Sequence, residues 1–309
     1  MPYVGIQSQI HKNNINSFLL IVAFPLVLLG MVYAFLYFVN RNEDIQVVNY
    51  YFSRTIPTVL ILVGVWFLIA WFFHTSLIRY ATGSRPLERK ENKRVYNLVE
   101  NLCIQTGMSV PKIYIIEDDS LNAFASGINE KTFAISLSRG IIDKLDDEEL
   151  EGVIAHELTH IRNRDVRLLI ISIIFVGIFA FIAQMAFRSL QFGAYSRRRE
   201  KSNLPVILIA LAIAAVCYFI AILLRFGISR SREYMADAGS AELTKKPYAL
   251  ARALRKIDQD PLIEAVKSRD VAQLFIDNPS PEESGFSFNN LFSTHPPIKK
   301  RIQLLEQFV

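Results

Sequence analysis

Cysteine and histidine are both scarce in this chain of 309 residues, which contains two of the first and five of the second. Cys103 and Cys217 have no second cysteine or histidine near them in sequence, and no disulfide between them is expected. This scarcity excludes a disulfide scaffold and fits a reducing compartment. Charged residues are also few, at 20%, whereas hydrophobic residues make up 51%. The composition is too apolar for an ordinary soluble protein and leaves room for one domain plus membrane spans.

A single basic stripe is also missing, although the formal net charge is +5. The lysines and arginines lie beside apolar segments, which suits contact with anionic lipid headgroups better than contact with nucleic acid. We therefore expect a lipid bilayer as a partner and no nucleic acid.

Four apolar runs stand out, each long enough to cross the hydrocarbon core of a bilayer. They cover residues 18–39, 56–78, 166–187 and 204–224. Any one of them could be the buried core helix of a soluble protein. Four together predict a polytopic membrane protein with up to four transmembrane helices.

Lysine and arginine in the short flanks predict the orientation, because these residues concentrate on the cytoplasmic side. Six of them lie between residues 79 and 94, and more precede the third run and follow the fourth. The loop between the third and fourth runs is also basic at 197–199, and it would lie on the opposite side if both runs crossed. Either the other flanks outweigh this loop, or the two helices form a hairpin that does not fully cross. Both alternatives leave the remaining soluble parts facing the cytoplasm.

Outside these runs the pattern is that of a mainly α-helical protein with one small β-sheet. A helix is predicted at 92–106, strands at 112–116, 122–126 and 132–137, and a hairpin turn at 127–130. A further helix begins at Asp146 or Asp147 and continues past residue 160 into the third run, because neither glycine nor proline interrupts it. Two more helices are predicted at 233–256 and 297–308.

One five-residue run carries the most specific chemical signal: His156-Glu157-Leu158-Thr159-His160. On a helix, residues four apart share a face, so His156 and His160 point the same way and can bind one zinc ion. Glu157 can reach a water molecule on that ion and act as a general base. The alternative is a helix whose histidines only cap or pack. The pattern favours a zinc peptidase.

A catalytic zinc ion needs a third protein ligand. A third histidine six residues after the second is excluded, because Val166 stands there. Glu233 and Asp237 lie four apart on a predicted helix, and could supply a ligand and a carboxylate that holds the free ring nitrogen of a ligand histidine. From spacing alone, a solvated acidic helix face explains this pair more simply.

His295 precedes two prolines, and Arg301 follows six residues later. His295, together with Arg301, could donate hydrogen bonds to an oxyanion that forms when a peptide carbonyl is attacked. A histidine at the start of a helix explains His295 equally well.

The chain resembles the HtpX family of membrane-bound zinc endopeptidases over nearly its whole length. The shared motifs are Asn122-Ala123-Phe124-Ala125, residues 156–160, residues 231–237, and Ser293-Thr294-His295-Pro296-Pro297 with Arg301. The arginine-rich loop at 197–199 departs from the family pattern, which affects the third and fourth runs and leaves the zinc motifs intact.

The resemblance implies zinc bound by His156, His160 and Glu233, with Glu157 as general base. It also implies a zincin-like domain in which the segment 122–126 receives the substrate backbone as an added strand. The implied role is quality control, in which the enzyme hydrolyses damaged or misfolded membrane proteins at the cytoplasmic membrane.

These inferences divide the chain into four parts. They are a membrane region at 1–79, a first catalytic part at 80–165, a helical hairpin at 166–225, and a second catalytic part at 226–309. An alternative enzyme is a CAAX prenyl endopeptidase, which resembles this family in its zinc motifs but usually has more membrane spans. A non-catalytic membrane adaptor is the alternative from another class, and the intact base, histidines and carboxylates argue against it.

Overall fold

The structure is a computed structural model that describes residues 6–195, 208–216, 219, 230–260 and 296–307. Its helices are α1 (Ile6–Val39), α2 (Ile45–Thr82), α3 (Lys93–Thr106), α4 (Arg139–Lys144), α5 (Asp147–Arg162), α6 (Asp165–Tyr195), α7 (Arg230–Thr244), α8 (Pro247–Ile257) and α9 (Ile298–Glu306). Its strands are β1 (Arg85–Pro86), β2 (Lys112–Ile116), β3 (Ala123–Ser126) and β4 (Ala134–Ser138). The predicted class, mainly α with a small sheet, is confirmed.

The chain forms two compact units. The helical unit comprises Ile15–Phe72 and Ile171–Arg225, and the mixed unit comprises Met1–Asn14, Phe73–Ile170 and Phe226–Val309. The helical unit contains most of the apolar runs, whereas the mixed unit contains the sheet and the histidine motif.

The helical unit has its core around Phe24 of α1. The Phe24 ring stacks on Phe175 of α6 with centroids 4.2 Å apart and meets Phe179 edge-on. Among the described residues, two helices are long and apolar enough to cross a membrane, Ile10–Val39 and Ile45–Thr82. Only 11% of the most apolar window of each is buried, which distinguishes them from the core helices of a soluble protein.

The third and fourth apolar runs are not among these two candidate spans of the described residues. The third lies within α6, and of the fourth only residues 208–216 and 219 are described, as helix. The structure therefore supports a membrane protein with two candidate spans, and four crossings remain a prediction.

The sheet of the mixed unit has the strand order β1-β2-β4-β3. β2 and β4 are parallel, while β1 pairs with β2 and β3 pairs with β4 in antiparallel fashion. Gly127 has φ 107, a backbone conformation that favours glycine, and it opens the turn between β3 and β4. The predicted strands are confirmed, with β4 shifted by a residue or two, and β3 lies at one edge of the sheet.

α5 lies at the centre of the mixed unit. The side chain of Asp146 accepts a hydrogen bond from the backbone N–H of Glu149 in its first turn. The side chain of Glu149 in turn accepts from the backbone N–H of Asp146, which completes a capping box. α7 packs closely on α5 because glycine faces the contact: a Cβ at Gly239 would lie 2.5 Å from Cγ2 of Thr159. The seryl hydroxyl of Ser240 donates to the carbonyl of Gly152 across the same interface.

Two predicted helices were too long. α5 ends at Arg162 instead of running into the third apolar run, because Arg164 adopts φ 62 and breaks the helix without glycine or proline. The helix predicted at 233–256 is likewise two helices, since Lys245 has φ 56 and Pro247 begins α8. Periodicity does not reveal a single residue in the left-handed region, so both breaks were missed.

Candidate metal centre

Three side chains from two helices converge on one point in the mixed unit. α5 supplies His156 and His160 from successive turns of one face, and α7 supplies Glu233. One ligand atom from each lies within 4.8 Å of the others. The two Nε2 atoms are 3.1 Å apart, and each lies 3.7 Å from an oxygen of Glu233.

The opposite ring nitrogens are held by carboxylates. Nδ1 of His156 lies 3.0 Å from Oδ1 of Asp237, and Nδ1 of His160 lies 3.1 Å from Oδ2 of Asp165. A carboxylate can only accept, so a proton on each Nδ1 would face its carboxylate and leave Nε2 available to a metal.

This donor set fits a divalent metal ion. Two imidazole nitrogens and a carboxylate oxygen directed at one buried point are stable together only when a positive charge, a proton or a metal ion, lies among them. Tetrahedral zinc bound at its usual distances separates two nitrogen ligands by about 3.4 Å, close to the spacing of the histidines. His156, His160 and Glu233 are therefore the residues that could hold the ion.

Asp165 was missed by the sequence analysis. On an uninterrupted helix, residue 165 would point away from the face of His160, since five residues turn the helix by about 140° beyond one full turn. The helix breaks at Arg164, and after this break the Asp165 carboxylate lies against Nδ1 of His160. The only signal in the sequence was a carboxylate soon after the motif.

Asp237, which lies against His156, has a second partner. Nε and Nη2 of Arg301 donate to the two oxygens of Asp237 at 2.9 and 2.7 Å. Arg301 is only 1% exposed, and its Nη1 lies 3.7 Å from Oε2 of Glu233. The structure thus gives Arg301 a contact that its predicted role at an oxyanion did not include. His295 lies outside the described residues.

Burial and charge together set the ionisation of these groups. Burial opposes protonation of His156, but its hydrogen bonds to Asp237 and Glu233 prevail and raise its pKa to about 9. Burial would raise the pKa of Asp237, yet the charge of Arg301 and the bond to His156 lower it.

Glu157 lies beside the cluster and is 2% exposed. Burial raises the pKa of its carboxyl, while the charges of His156 and His160 and a hydrogen bond from the backbone of Ala125 lower it in part. A carboxylate with a raised pKa is a better proton acceptor near neutral pH.

The predicted substrate segment, Asn122 to Ala125, lies next to this carboxylate. The amide of Ser138 in β4 donates to the carbonyl of Asn122, and β3 pairs with β4 along its length. Because backbone groups alternate along a strand, the amide of Ala125 points away from β4, where it meets Glu157.

Known proteins resemble this chain over most of its length. The chain matches peptidase family M48 over residues 89–309. The chain belongs to peptidase family M48. A protein of Bacteroides fragilis (strain YCH46), described as "Protease HtpX homolog", is 57% identical to this M48 chain over 322 aligned positions that cover all of both chains.

More distant relatives of this M48 protein carry the same description. The homologue of Tropheryma whipplei (strain Twist) is 35% identical over 97% of each chain. A crystal structure of Ste24p from S. mikatae has 20% sequence identity and a TM-score of 0.47, and covers 96% of this chain and 67% of that chain. The resemblance to the HtpX family is confirmed, and this M48 protein is a membrane metalloprotease that acts on polypeptides.

Proposed function

We propose that this M48 protein is a zinc-dependent endopeptidase of the cytoplasmic membrane that hydrolyses damaged or misfolded membrane proteins. The observation that carries the proposal is the convergence of His156, His160 and Glu233 directly beside Glu157. Zinc is proposed as the metal because two imidazoles and one carboxylate form a ligand set typical of catalytic zinc.

When bound, zinc supplies a Lewis acid that lowers the pKa of water towards neutrality and polarises a peptide carbonyl. In our proposal Glu157 takes a proton from the attacking water and later delivers it to the leaving amine. Asp237 and Asp165 hold the histidines in the tautomer that leaves Nε2 free for the metal.

Substrate binding is proposed at β3. The strand lies at the edge of the sheet, and the amide of Ala125 faces the general base. An extended polypeptide that added to this edge would be read through its backbone, which suits clients of varied sequence. Asn122 to Ala125 would then form the strand that receives it.

We also propose that His295 and Arg301 steady the oxyanion of the attacked carbonyl. Support for Arg301 comes from its burial beside Glu233. Because two of its donors already bind Asp237, its main effect would come from its positive charge. His295 is proposed on the resemblance of its motif alone.

The proposed topology places this site on the cytoplasmic side. The basic residues between 79 and 94 support that orientation. We propose that residues 80–165 and 226–309 together form a zincin-like domain. Residues 166–225 would form a hairpin that either crosses the membrane, making four spans, or lies at its surface.

Glu157→Gln tests the function. The variant should retain zinc and lose cleavage of an unfolded membrane protein, because the amide cannot accept the proton. Glu151→Gln is the matched control, since Glu151 lies on the same helix but pairs with Lys246 and should leave the activity unchanged. Cleavage by Glu157→Gln at the rate of the unaltered protein would refute the assigned base.

Two further measurements separate the alternatives. Glu233→Ala should abolish zinc binding, and full zinc content in that variant would assign the third ligand to another residue. Fragments identified by mass spectrometry from a prenylated peptide, but not from an unfolded membrane protein, would favour a prenyl endopeptidase.

A further inference from the structure

Asn13, a polar residue near the start of α1, forms hydrogen bonds beside the candidate metal centre. Asn13 is 1% exposed, although it belongs to the polar segment that precedes the first apolar run. Its Nδ2 donates to Oδ1 of Asp165 at 2.6 Å and to the carbonyl of Asn163 at 2.8 Å.

Asp165 divides its two oxygens between Asn13 and the histidine. Oδ1 accepts from Asn13, and Oδ2 accepts from Nδ1 of His160 at 3.1 Å. The carboxylate is 3% exposed, so water competes little for either oxygen. A buried carboxylate held at one oxygen has a defined direction at the other, and this direction sets the orientation of the ring.

The second bond of Asn13 acts on the backbone that delivers Asp165. Asn163 caps the end of α5, and Arg164 follows in the left-handed region. This conformation costs a non-glycine residue about 1 kcal/mol, so it needs support from its surroundings. Asn13 binds the residue before Arg164 and the residue after it, and therefore holds the bend from both sides.

We propose that Asn13 is a positioning residue of the metal centre, acting on the ligand His160 through Asp165. This inference rests on the proposed zinc site and extends it: Asn13, near the start of α1, becomes part of the site, although it lies far from the motif in sequence. The two hydrogen bonds of Asn13 described here go to Asp165 and to the carbonyl of Asn163, so they act on the carboxylate and on the backbone that delivers it.

The test measures zinc affinity by chelator competition on the full-length protein in detergent. Four forms are compared: the unaltered protein, Asn13→Ala, Asp165→Ala and the double variant. Asn13→Ala should weaken zinc binding about tenfold, in line with the loss of a hydrogen bond to a charged group that orients a ligand. In the Asp165→Ala background the same change should cost less than about twofold, because the connecting group is gone.

Asn14→Ala is the matched control, since Asn14 is the neighbouring residue on the same helix and is exposed. It should bind zinc like the unaltered protein. The visible spectrum of the Co²⁺-loaded protein gives a second readout, because rotation of His160 changes the ligand field. Should Asn13→Ala not fold, Asn13→Ser takes its place, and should the double variant not fold, the Co²⁺ spectrum of the single variant decides.

The outcomes are distinct. Unchanged zinc affinity and spectrum in Asn13→Ala, with only a lower melting temperature, would overturn the inference and make Asn13 a purely structural support of the bend. Equal losses in both backgrounds would also overturn it, because Asn13 would then act by a route other than Asp165. A failure of the unaltered protein to bind zinc would instead refute the proposed zinc site itself.

Discussion

Replacing Gly239 with alanine should move Glu233, the proposed third metal ligand, without touching it. Gly239 lies on α7, six residues after Glu233, at the point where that helix meets α5. The new Cβ would stand 2.5 Å from Cγ2 and 2.8 Å from Oγ1 of Thr159. Thr159 lies between the two histidines of the motif, so the clash occurs on the helix that carries both of them.

The size of the effect follows from these distances. An ordinary contact begins at 3.4 Å, so α7 must retreat by about 0.9 Å unless Thr159 rotates. Rotation is unfavourable, because threonine is stiff at χ1 and its hydroxyl donates to the carbonyl of Ala155 at 2.8 Å. Overpacking of this kind costs about 1–3 kcal/mol, which exceeds the roughly 1 kcal/mol that alanine gains over glycine in a helix.

This displacement of α7 away from α5 should weaken zinc binding strongly. Glu233 would move by about 1 Å relative to the histidines, several times the roughly 0.2 Å tolerance of a metal–ligand distance, and we expect a loss of about 10- to 100-fold in zinc affinity. The assay is chelator competition with purified protein in detergent, combined with thermal unfolding. Gly64→Ala is the matched control, because a Cβ at Gly64 meets nothing within 4 Å.

A second substitution tests the cause. Thr159→Ala removes both close atoms and leaves only the threonine Cβ position, 3.2 Å away, so the double variant should recover most of the zinc affinity. Two results would refute the reasoning: unchanged affinity in Gly239→Ala, or a loss that Thr159→Ala does not relieve.

Three further predictions concern the same unit. Asp237→Asn should weaken zinc binding about 10- to 100-fold. Because it replaces the carboxylate that binds buried Arg301 with a neutral amide, it should also lower the free energy of unfolding by about 3 kcal/mol. Asp258→Asn, an exposed control, should do neither, and equal values for both would contradict the assigned contact. Zinc affinity should fall about tenfold for each pH unit below 9, because His156 with a pKa of about 9 holds a proton at neutral pH that the metal must displace; an affinity independent of pH from 6.5 to 8.5 would disprove this. Gly127→Ala should lower the free energy of unfolding by about 2 kcal/mol, since its φ is 107 and the new Cβ would lie 2.4 Å from the carbonyl oxygen of Thr132. Gly107→Ala, with φ 65 and nothing within 4 Å of the new Cβ, should lower it by only about 1 kcal/mol, and thermal unfolding measures both.

Local patterns in the sequence accounted for most of the secondary structure. The helix at 93–106, the strand at 112–116 and the capped start of α5 followed from periodicity and capping chemistry. These features depend on interactions between residues a few positions apart, which a sequence displays directly. Local patterns also identified the two-histidine motif, because a helix repeats every 3.6 residues.

The ends of helices were less predictable. The breaks at Arg164 and Lys245 use left-handed backbone at residues that seldom adopt it. At Arg164 the conformation is supported by Asn13, a residue about 150 positions away in sequence. No pattern within a short window contains that support.

The sequence by itself determined which residues could act: two histidines on one helical face, a glutamate between them, and a pair of distant carboxylates. Only the tertiary structure decided which carboxylate meets which histidine. Glu233 reaches the two histidines because α7 packs on α5 at Gly239, and Asp165 holds His160 because the chain turns at Arg164. Both depend on contacts between segments far apart in the chain, whose geometry is set by packing and not by local propensity.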